Sequence, residues 1–350
     1  MEFTIDWYFI IEKLLLISAV LGISLVVAMY STWGERKVAA WIQDRRGPNR
    51  AGPFGLLQPL ADGGKLFFKE EIIPSSANRF LFIMGPSLAM FTACLTSAVI
   101  PWGDTLTIAG REVSLQIADI NIGVLWIMMV VGMGVYGIMI GGWASNNKFS
   151  LLAACRGASQ VISYELPMGL ALIALFMISG SLSLKDIVEQ QREGVWFVLL
   201  QPIGFLIFLI CSFAETNRTP FDLPEAENEL NGGYHLEYSS MKLGFYLFAE
   251  YINMFISSVL MATLYFGGYA FPFMDKLGID GNWLTVLGIG ALFLKTLFFI
   301  FFFMWVRWTI PRFRYDQLMK LGWKVLIPLA LLNMLITGAW ILFRENGFNF

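Results

Sequence analysis

The chain has 350 residues, of which 57% are hydrophobic, 15% aromatic and only 14% charged, with a formal net charge of -2. A soluble globule carries about a quarter charged residues, so this composition excludes that class and leaves a polytopic helical membrane protein. No basic tail points to nucleic acid, the three cysteines (Cys94, Cys155, Cys211) form no C-x-x-C for a metal or iron–sulfur site, and one histidine excludes a haem held by two.

A span needs about 20 mostly apolar residues. Eight stretches qualify, at about 8–30, 80–101, 121–143, 154–179, 196–213, 243–272, 284–306 and 325–343. The expected fold is all-α: a single transmembrane domain over 1–350, with short amphipathic helices in its cytoplasmic loops. Trp7, Tyr8, Trp102, Trp143, Trp196, Trp283, Trp305 and Trp308 mark span ends, as interfacial aromatics do. Glu2 and Asp6 stand where a signal peptide would be basic, so the first stretch is read as a span. The first, third, fifth and seventh loops carry eight, two, two and five Lys or Arg, which is 17 of the 24, against five on the other side. The positive-inside rule therefore expects those loops in the cytoplasm and both termini outside.

The first loop, GERKVAAWIQDRRGPNRAGPFGLLQPLADGGKLFFKEEIIP, joins a turn-rich basic segment to a stretch patterned like a short interfacial helix. On charge alone it is a topology anchor on anionic lipid. The third span contains Gly132-x-Gly134-x-x-Gly137, formally a dinucleotide fingerprint. No strand precedes it and apolar sequence runs on both sides, so these glycines, with Gly137 and Gly141 at GxxxG spacing, are read as helix packing. Glu165 lies halfway along the fourth apolar stretch with Pro167 just beyond, and Glu250 interrupts the sixth. A carboxylate at mid-bilayer costs about 2.5–3.5 kcal/mol unless it faces a polar interior or is neutralised. Each is either a permanently protonated structural acid or a group that takes up and releases protons.

Between the fifth and sixth spans lies AETNRTPFDLPEAENELNGGYHLEYSS, with six carboxylates (Glu215, Asp222, Glu225, Glu227, Glu229, Glu237) and only Arg218 and His235 as possible positive charge. Pro220 and Pro224 stiffen it and Gly232-Gly233 allow a tight turn. A helix from Pro224 would set Glu225 and Glu229 at i,i+4, like charges facing each other. The segment is either a solvated acidic loop or a cluster that holds and relays protons between two spans. Lys295, in the seventh span, is either a partner for such acids or a lysine snorkelling to the interface.

ETNRTPFDLPEAENEL followed by EYS closely resembles the signature loop of the quinone-site membrane subunit family of respiratory complex I, the NADH:quinone oxidoreductase. Asn231 and His235 depart from the pattern, which more often has Val and Asn there. The first loop resembles its family counterpart almost throughout, and PRFRYDQL in the last loop matches a third signature. The resemblance covers nearly the whole chain. It implies that Glu35, Arg36, Lys37, Arg45, Arg46, Asp62, Phe221 and Asp222 contact quinone, and that 56–70 lines its entry portal. It also implies a proton relay through Glu165, Glu215, Glu225, Glu227, Glu229 and Glu250. The basic last loop, a topology anchor by charge, becomes a docking face for a partner subunit.

Electron transfer needs a flavin, haem or cluster, and the chain encodes a site for none. By resemblance, FMN and iron–sulfur clusters reside in partner subunits, electrons arrive from a cluster-bearing neighbour, and quinone is the substrate. The expected function is therefore a membrane subunit of a proton-pumping NADH:quinone oxidoreductase of the bacterial inner (plasma) membrane, with other complex subunits and lipids as partners. The alternative is the homologous subunit of a hydrogenase-type or ferredoxin-linked complex, disfavoured by the full signature loop and the long GPNRAGPFG portal. A secondary antiporter would show internal repeats and matching broken helices, neither of which the sequence displays. A purely structural anchor would leave Glu165 and Glu250 unexplained.

Overall fold

Helix α1 (Trp7–Ile42) has 36 residues and so runs about 54 Å, against about 30 Å of bilayer hydrocarbon. The expected span at 8–30 is thus the lower part of a longer helix, whose last turns carry Glu35, Arg36 and Lys37 past the apolar zone. The computed structural model describes residues 7–108, 110–272, 274 and 281–345; Glu2, Asp6 and Lys276 lie outside them. Next comes α2 (Gln58–Phe68), the short amphipathic helix expected in the first loop. It is followed by α3 (Arg79–Thr96), whose N-terminal amides at Phe80 and Leu81 are accepted by the Asn78 side chain. An antiparallel hairpin, β1 (Thr105–Ile108) and β2 (Arg111–Ser114), precedes α4 (Gly123–Ala144) and α5 (Lys148–Ser179). Then follow α6 (Leu184–Glu193), α7 (Phe197–Leu200), α8 (Pro202–Glu215), the single turn α9 (Glu227–Leu230), α10 (Ser240–Tyr265) and α11 (Gly281–Thr309). The chain closes with α12 (Tyr315–Lys320), a π-helical stretch Leu321–Leu326, and α13 (Ile327–Glu345).

Seven helical runs among the described residues are long and apolar enough to cross a membrane. The one expected stretch not among them, the fifth at 196–213, is interrupted: Gln201 leaves helical geometry at φ -131, ψ 58, and Pro202 restarts the helix as α8. Proline has no N–H to bond the preceding turn and fits the first helical position, which explains the break there. Gln201 is held by a buried polar knot, donating to Thr337 Oγ1 at 2.6 Å and accepting from Asn333 Nδ2 at 2.9 Å.

Polar contacts define two ends of the bundle. At one, Glu35, Arg218, Arg307, Asp222 and Arg312 meet, and the Lys242–Glu71 pair ties α10 to the first loop. At the other, Lys13 donates to Gln116 O, Asn282 bonds the β1 backbone, and Arg192 pairs with Asp104. Lys295 belongs to this second end. Among the described residues it pairs with no acid: its ammonium donates to the carbonyls of Phe266, Gly268 and Ala270 at 2.5–2.8 Å, capping the chain beyond α10.

Between these ends α3, α4 and α10 pack on small residues. A Cβ on Gly137 would lie 2.9 Å from the Ala89 nitrogen, and one on Gly141 would overlap the Tyr246 hydroxyl. That hydroxyl donates to Gly137 O at 3.0 Å, and the Tyr238 hydroxyl donates to Gly141 O at 3.2 Å. The apparent nucleotide fingerprint is therefore a packing seam. Gly141→Ala should destabilise the protein by about 1–3 kcal/mol through overpacking against the tyrosine ring, seen as a lower melting temperature in detergent. Gly290→Ala, where a Cβ meets nothing within 4 Å, should leave the melting temperature unchanged.

Candidate functional site, a buried carboxylate chain beside an amphipathic cavity

Glu35 is the meeting point of four segments. The extension of α1 carries it to a position where only 5% of its surface is exposed. Arg218, from the loop after α8, reaches one carboxylate oxygen at 3.2 Å; Arg307, in the last turn of α11, reaches the other at 2.6 Å; and Tyr251 of α10 donates to the first at 2.8 Å. Arg218 is itself 4% exposed and lies over the Tyr251 ring at 4.1 Å. Burial alone would lower its pKa, but the charges of Tyr251, Glu35, Glu250 and Glu225 outweigh it and push the guanidinium above its ordinary value. Two of its nitrogens, Nε and Nη2, are buried with no hydrogen-bond partner among the described residues.

The acidic segment does not balance its charge internally. Asp222 pairs with Arg312 of the last loop at 2.6 Å, Glu229 with Arg156 of α5 at 2.6 Å, and Glu237 accepts from Asn147 Nδ2 at 2.8 Å. Burial and the neighbouring Glu225 push Asp222 up to about 7 against the pull of Arg312 and Arg218. The expected i,i+4 stacking of Glu225 and Glu229 does not occur, because α9 begins only at Glu227. Gly233, at φ +80, brings the chain back against the Pro224 carbonyl, where a Cβ would clash, and Tyr234 N then donates to Pro224 O at 3.3 Å. From α5, the Gln160 amide donates to the carbonyls of Ala214 and Phe221 at 2.7 and 2.6 Å and so fixes the start of the loop.

From this loop the acids lead inward. Tyr234 donates to Glu250 of α10 at 3.4 Å, and burial together with Glu250 and Glu225 pushes the Tyr234 phenol well up. Glu250, Tyr234, Tyr246, Asn217, Asn253 and Glu215 line one cavity of about 40 Å³. Glu215 and Asn253 also line a second, of about 20 Å³, that continues between α4, α5 and α10. Each is large enough for at least one water molecule. On α4 a Cβ at Gly132 would come within 2.9 Å of Glu165 Oε1, so the glycine leaves the room that this carboxyl occupies.

On the opposite side of Glu35 lies a cavity of about 330 Å³, walled by Met29, Arg36, Asp62, Leu66, Tyr251 and Trp308 among others. Arg36 and Asp62 bridge α1 to α2 across it at 2.7 Å. Of the residues expected to contact quinone, Glu35, Arg36 and Asp62 line this cavity. Lys37 instead sits over the Trp33 ring at 5.8 Å, and Arg45 and Arg46 are exposed on the turn after α1. Phe221 and Asp222 lie elsewhere, Phe221 edge-on to Tyr164 at 5.3 Å. Glu215 and Glu250 line the inner cavities, Glu165 lies against Gly132, Glu225 faces His235, Glu229 faces Arg156, and the side chain of Glu227 lies outside the described residues. A larger cavity of about 740 Å³, at the Gln201 end, has Arg344 as its one charged lining residue among the described residues.

Sequence reasoning did not single out Tyr251, Tyr234, Arg156, Arg307 or Arg312 for the site. The only available signal was that the acidic loop had too few cations of its own, which required partners from elsewhere in the chain.

A family model described as NADH dehydrogenase matches residues 14–338. The chain is 66% identical over 334 residues to an H subunit of the NADH-quinone oxidoreductase of Cytophaga hutchinsonii, covering 95% of this chain and 98% of that one. The H subunit of the Flavobacterium johnsoniae NADH-quinone oxidoreductase is 64% identical over 338 residues, 95% of this chain and 96% of its own. Its counterpart in Thermomicrobium roseum is 52% identical over 342 residues, with 95% and 97% covered.

Removing one partner of a buried ion pair strands the other charge, at about 3–5 kcal/mol. Arg218→Ala should therefore cost about that much and lower the melting temperature markedly, while Glu71→Gln, at the half-exposed pair with Lys242, should cost about 0–1 kcal/mol. Asp222 gives a pH signature. Its folded pKa lies above the unfolded carboxylate range, so its contribution is fully present below about pH 4 and is lost as pH rises through about 7. Asp222→Asn should flatten the pH dependence of the melting temperature across that window.

Proposed function

The chain belongs to the NADH dehydrogenase family, among the membrane-embedded H subunits of NADH-quinone oxidoreductase, and on that premise we propose that it forms the membrane wall of the quinone chamber and couples quinone reduction to proton translocation. One observation carries the reading: Glu35 lines the cavity of about 330 Å³ while its carboxylate is bound by Arg218, the cation that also balances Glu225 and Glu250. The cavity has the mixed character a quinone needs. Arg36, Asp62 and Tyr251 offer polar contacts to a head group, and Met29, Leu66, Leu247, Phe248 and Trp308 offer apolar walls to its ring and tail. Helix α2, amphipathic and set against α10, forms the side through which a lipid-soluble substrate enters.

In this mechanism the electrons reach quinone from FMN- and cluster-bearing partner subunits. Charge appearing on quinone beside Arg36 and Glu35 changes the balance at Arg218, because these groups interact across a buried, weakly screened region. Any weakening of its hold on Glu225 and Glu250 raises their affinity for protons. Those protons pass by way of Tyr234 and the small cavities to Glu215 and Glu165. Moving one charge against 100 mV takes about 2.3 kcal/mol, so the acids must change protonation during turnover rather than stay fixed. The chain acts as one transmembrane unit of the bacterial inner membrane, with the loops at 31–79 and 214–242 on the cytoplasmic side, where the partner subunits dock. A hydrogenase-type or ferredoxin-linked assembly is the second reading; the names of the relatives favour the NADH-linked one.

Gln has nearly the shape of protonated Glu but cannot release a proton. The double variant Glu165→Gln, Glu250→Gln should assemble and bind quinone, yet lose most proton uptake and coupled quinone reduction when both are measured in vesicles. Wild-type coupling in that variant would sink the relay. Arg36→Ala should lower quinone reductase activity while NADH oxidation by artificial acceptors survives; equal loss of both would point to failed assembly instead.

A further inference from the structure

His235 is the chain's one histidine, and the mechanism above does not use it. Its Nδ1 lies 3.8 Å from Glu225 Oε1. Both atoms are buried, and neither has a hydrogen-bond partner among the described residues. The imidazole packs edge-on to Tyr234, ring centres 5.1 Å apart, and Tyr234 is the phenol that donates to Glu250. A fifth of the side chain, 21%, nevertheless remains at the surface. Thus one nitrogen of the imidazole faces Glu225 while part of the side chain reaches the surface.

We propose that His235 is the proton port of the carboxylate chain, exchanging protons between the loop surface and Glu225. This rests on the relay reading above and names the residue through which that relay is loaded. A neutral imidazole bearing its proton on Nδ1 takes a second proton at its other nitrogen and gives the Nδ1 proton to the Glu225 carboxylate. Rotation about both side-chain torsions then presents the protonated nitrogen to Glu225 for the next cycle. Only a proton moves; no bond other than N–H and O–H is made or broken. The roughly 0.8–1 Å still needed for a hydrogen bond from 3.8 Å is within the reach of a side-chain rotation. The groups facing this site are Glu225 and Tyr234 on the same loop, Glu250 on α10, and Arg218 and Asp222, which interact with Glu225. The pair Glu229–Arg156 lies on the α5 side of the loop.

The test uses the intact complex in sealed vesicles, carrying His235→Ala, His235→Asn or Glu250→Gln. Positioned proton transfer contributes about a hundredfold or more, and a port partly bypassed by water should give a loss of about tenfold in coupled quinone reduction and proton uptake for both His235 variants. NADH oxidation by artificial acceptors should be unchanged, which shows assembly. Added imidazole should restore the His235→Ala rate, and the deficit of His235→Asn should shrink as pH is lowered from 8 to 6, because free acid then supplies the proton. A structural role would give a loss that neither imidazole nor pH relieves, and that outcome overturns the proposal. So does a wild-type coupled rate in His235→Asn, which also decides the matter if His235→Ala fails to assemble. If Glu250→Gln depresses coupling while the His235 variants do not, the port alone is wrong. If Glu250→Gln is silent as well, the relay itself has failed.

Discussion

The pairing of Arg218 with Glu35 is the constraint on which the rest of this end of the molecule depends. A guanidinium 4% exposed is tolerable only if charges and an aromatic face replace its lost water, and Glu35, Tyr251, Glu225 and Glu250 supply them. Glu35 in turn is tolerable because Arg218, Arg307 and Tyr251 converge on it. Removing any member therefore changes the cost of burying all the others. The loop after α8, the last turn of α11, the top of α1 and α10 are held in register by this one cluster. It also joins two regions that differ in kind, an amphipathic cavity and an inward run of acids.

The inward run needs space in a bundle that is otherwise tightly packed. Glycines provide it. Gly132 makes room for the Glu165 carboxyl, while Gly85, Gly137 and Gly141 bring α3, α4 and the tyrosines of α10 into contact. In a membrane, close approach of helix backbones and interhelical hydrogen bonds replace the hydrophobic effect as the source of association. The hydroxyls of Tyr238 and Tyr246, donating to helical carbonyls of α4, serve that purpose. Tyr246 also lines one of the small cavities, so the groups that stabilise the fold and those that line the relay are partly the same.

At the far end the molecule is held largely by side chains that bond backbone groups. Gln191 donates to the carbonyls of Thr263 and Leu264 and accepts from Phe197 N and Gly267 N. Lys295 caps three carbonyls beside it, with Trp196 under the ammonium at 5.1 Å. These clamps explain how the broken run α7–α8 keeps its place although α8, at 14 residues, is short for a span. No titratable chain like that of the Glu35 end occurs here among the described residues.

By itself the sequence determined the helical class, the placement of the long apolar helices, the two acids within them and the loop that carries the others. Those properties reside in hydropathy and in local residue order, which a single chain displays directly. The GxGxxG run was also correctly legible as packing, since lipid-length apolar sequence leaves no place for a nucleotide. Which cation meets which acid was decided only by the tertiary structure. Arg218 pairs with Glu35 across 183 positions and Arg312 with Asp222 across 90, and nothing in local order encodes such distances. The split of the fifth apolar run followed from Pro202 together with the Gln201–Asn333–Thr337 knot, two members of which lie on α13. The division of the expected quinone residues, with Glu35, Arg36 and Asp62 at the cavity and Phe221 and Asp222 away from it, had the same cause. A motif names residues that are close in sequence, whereas a cavity is bounded by whatever helix packing brings to its walls.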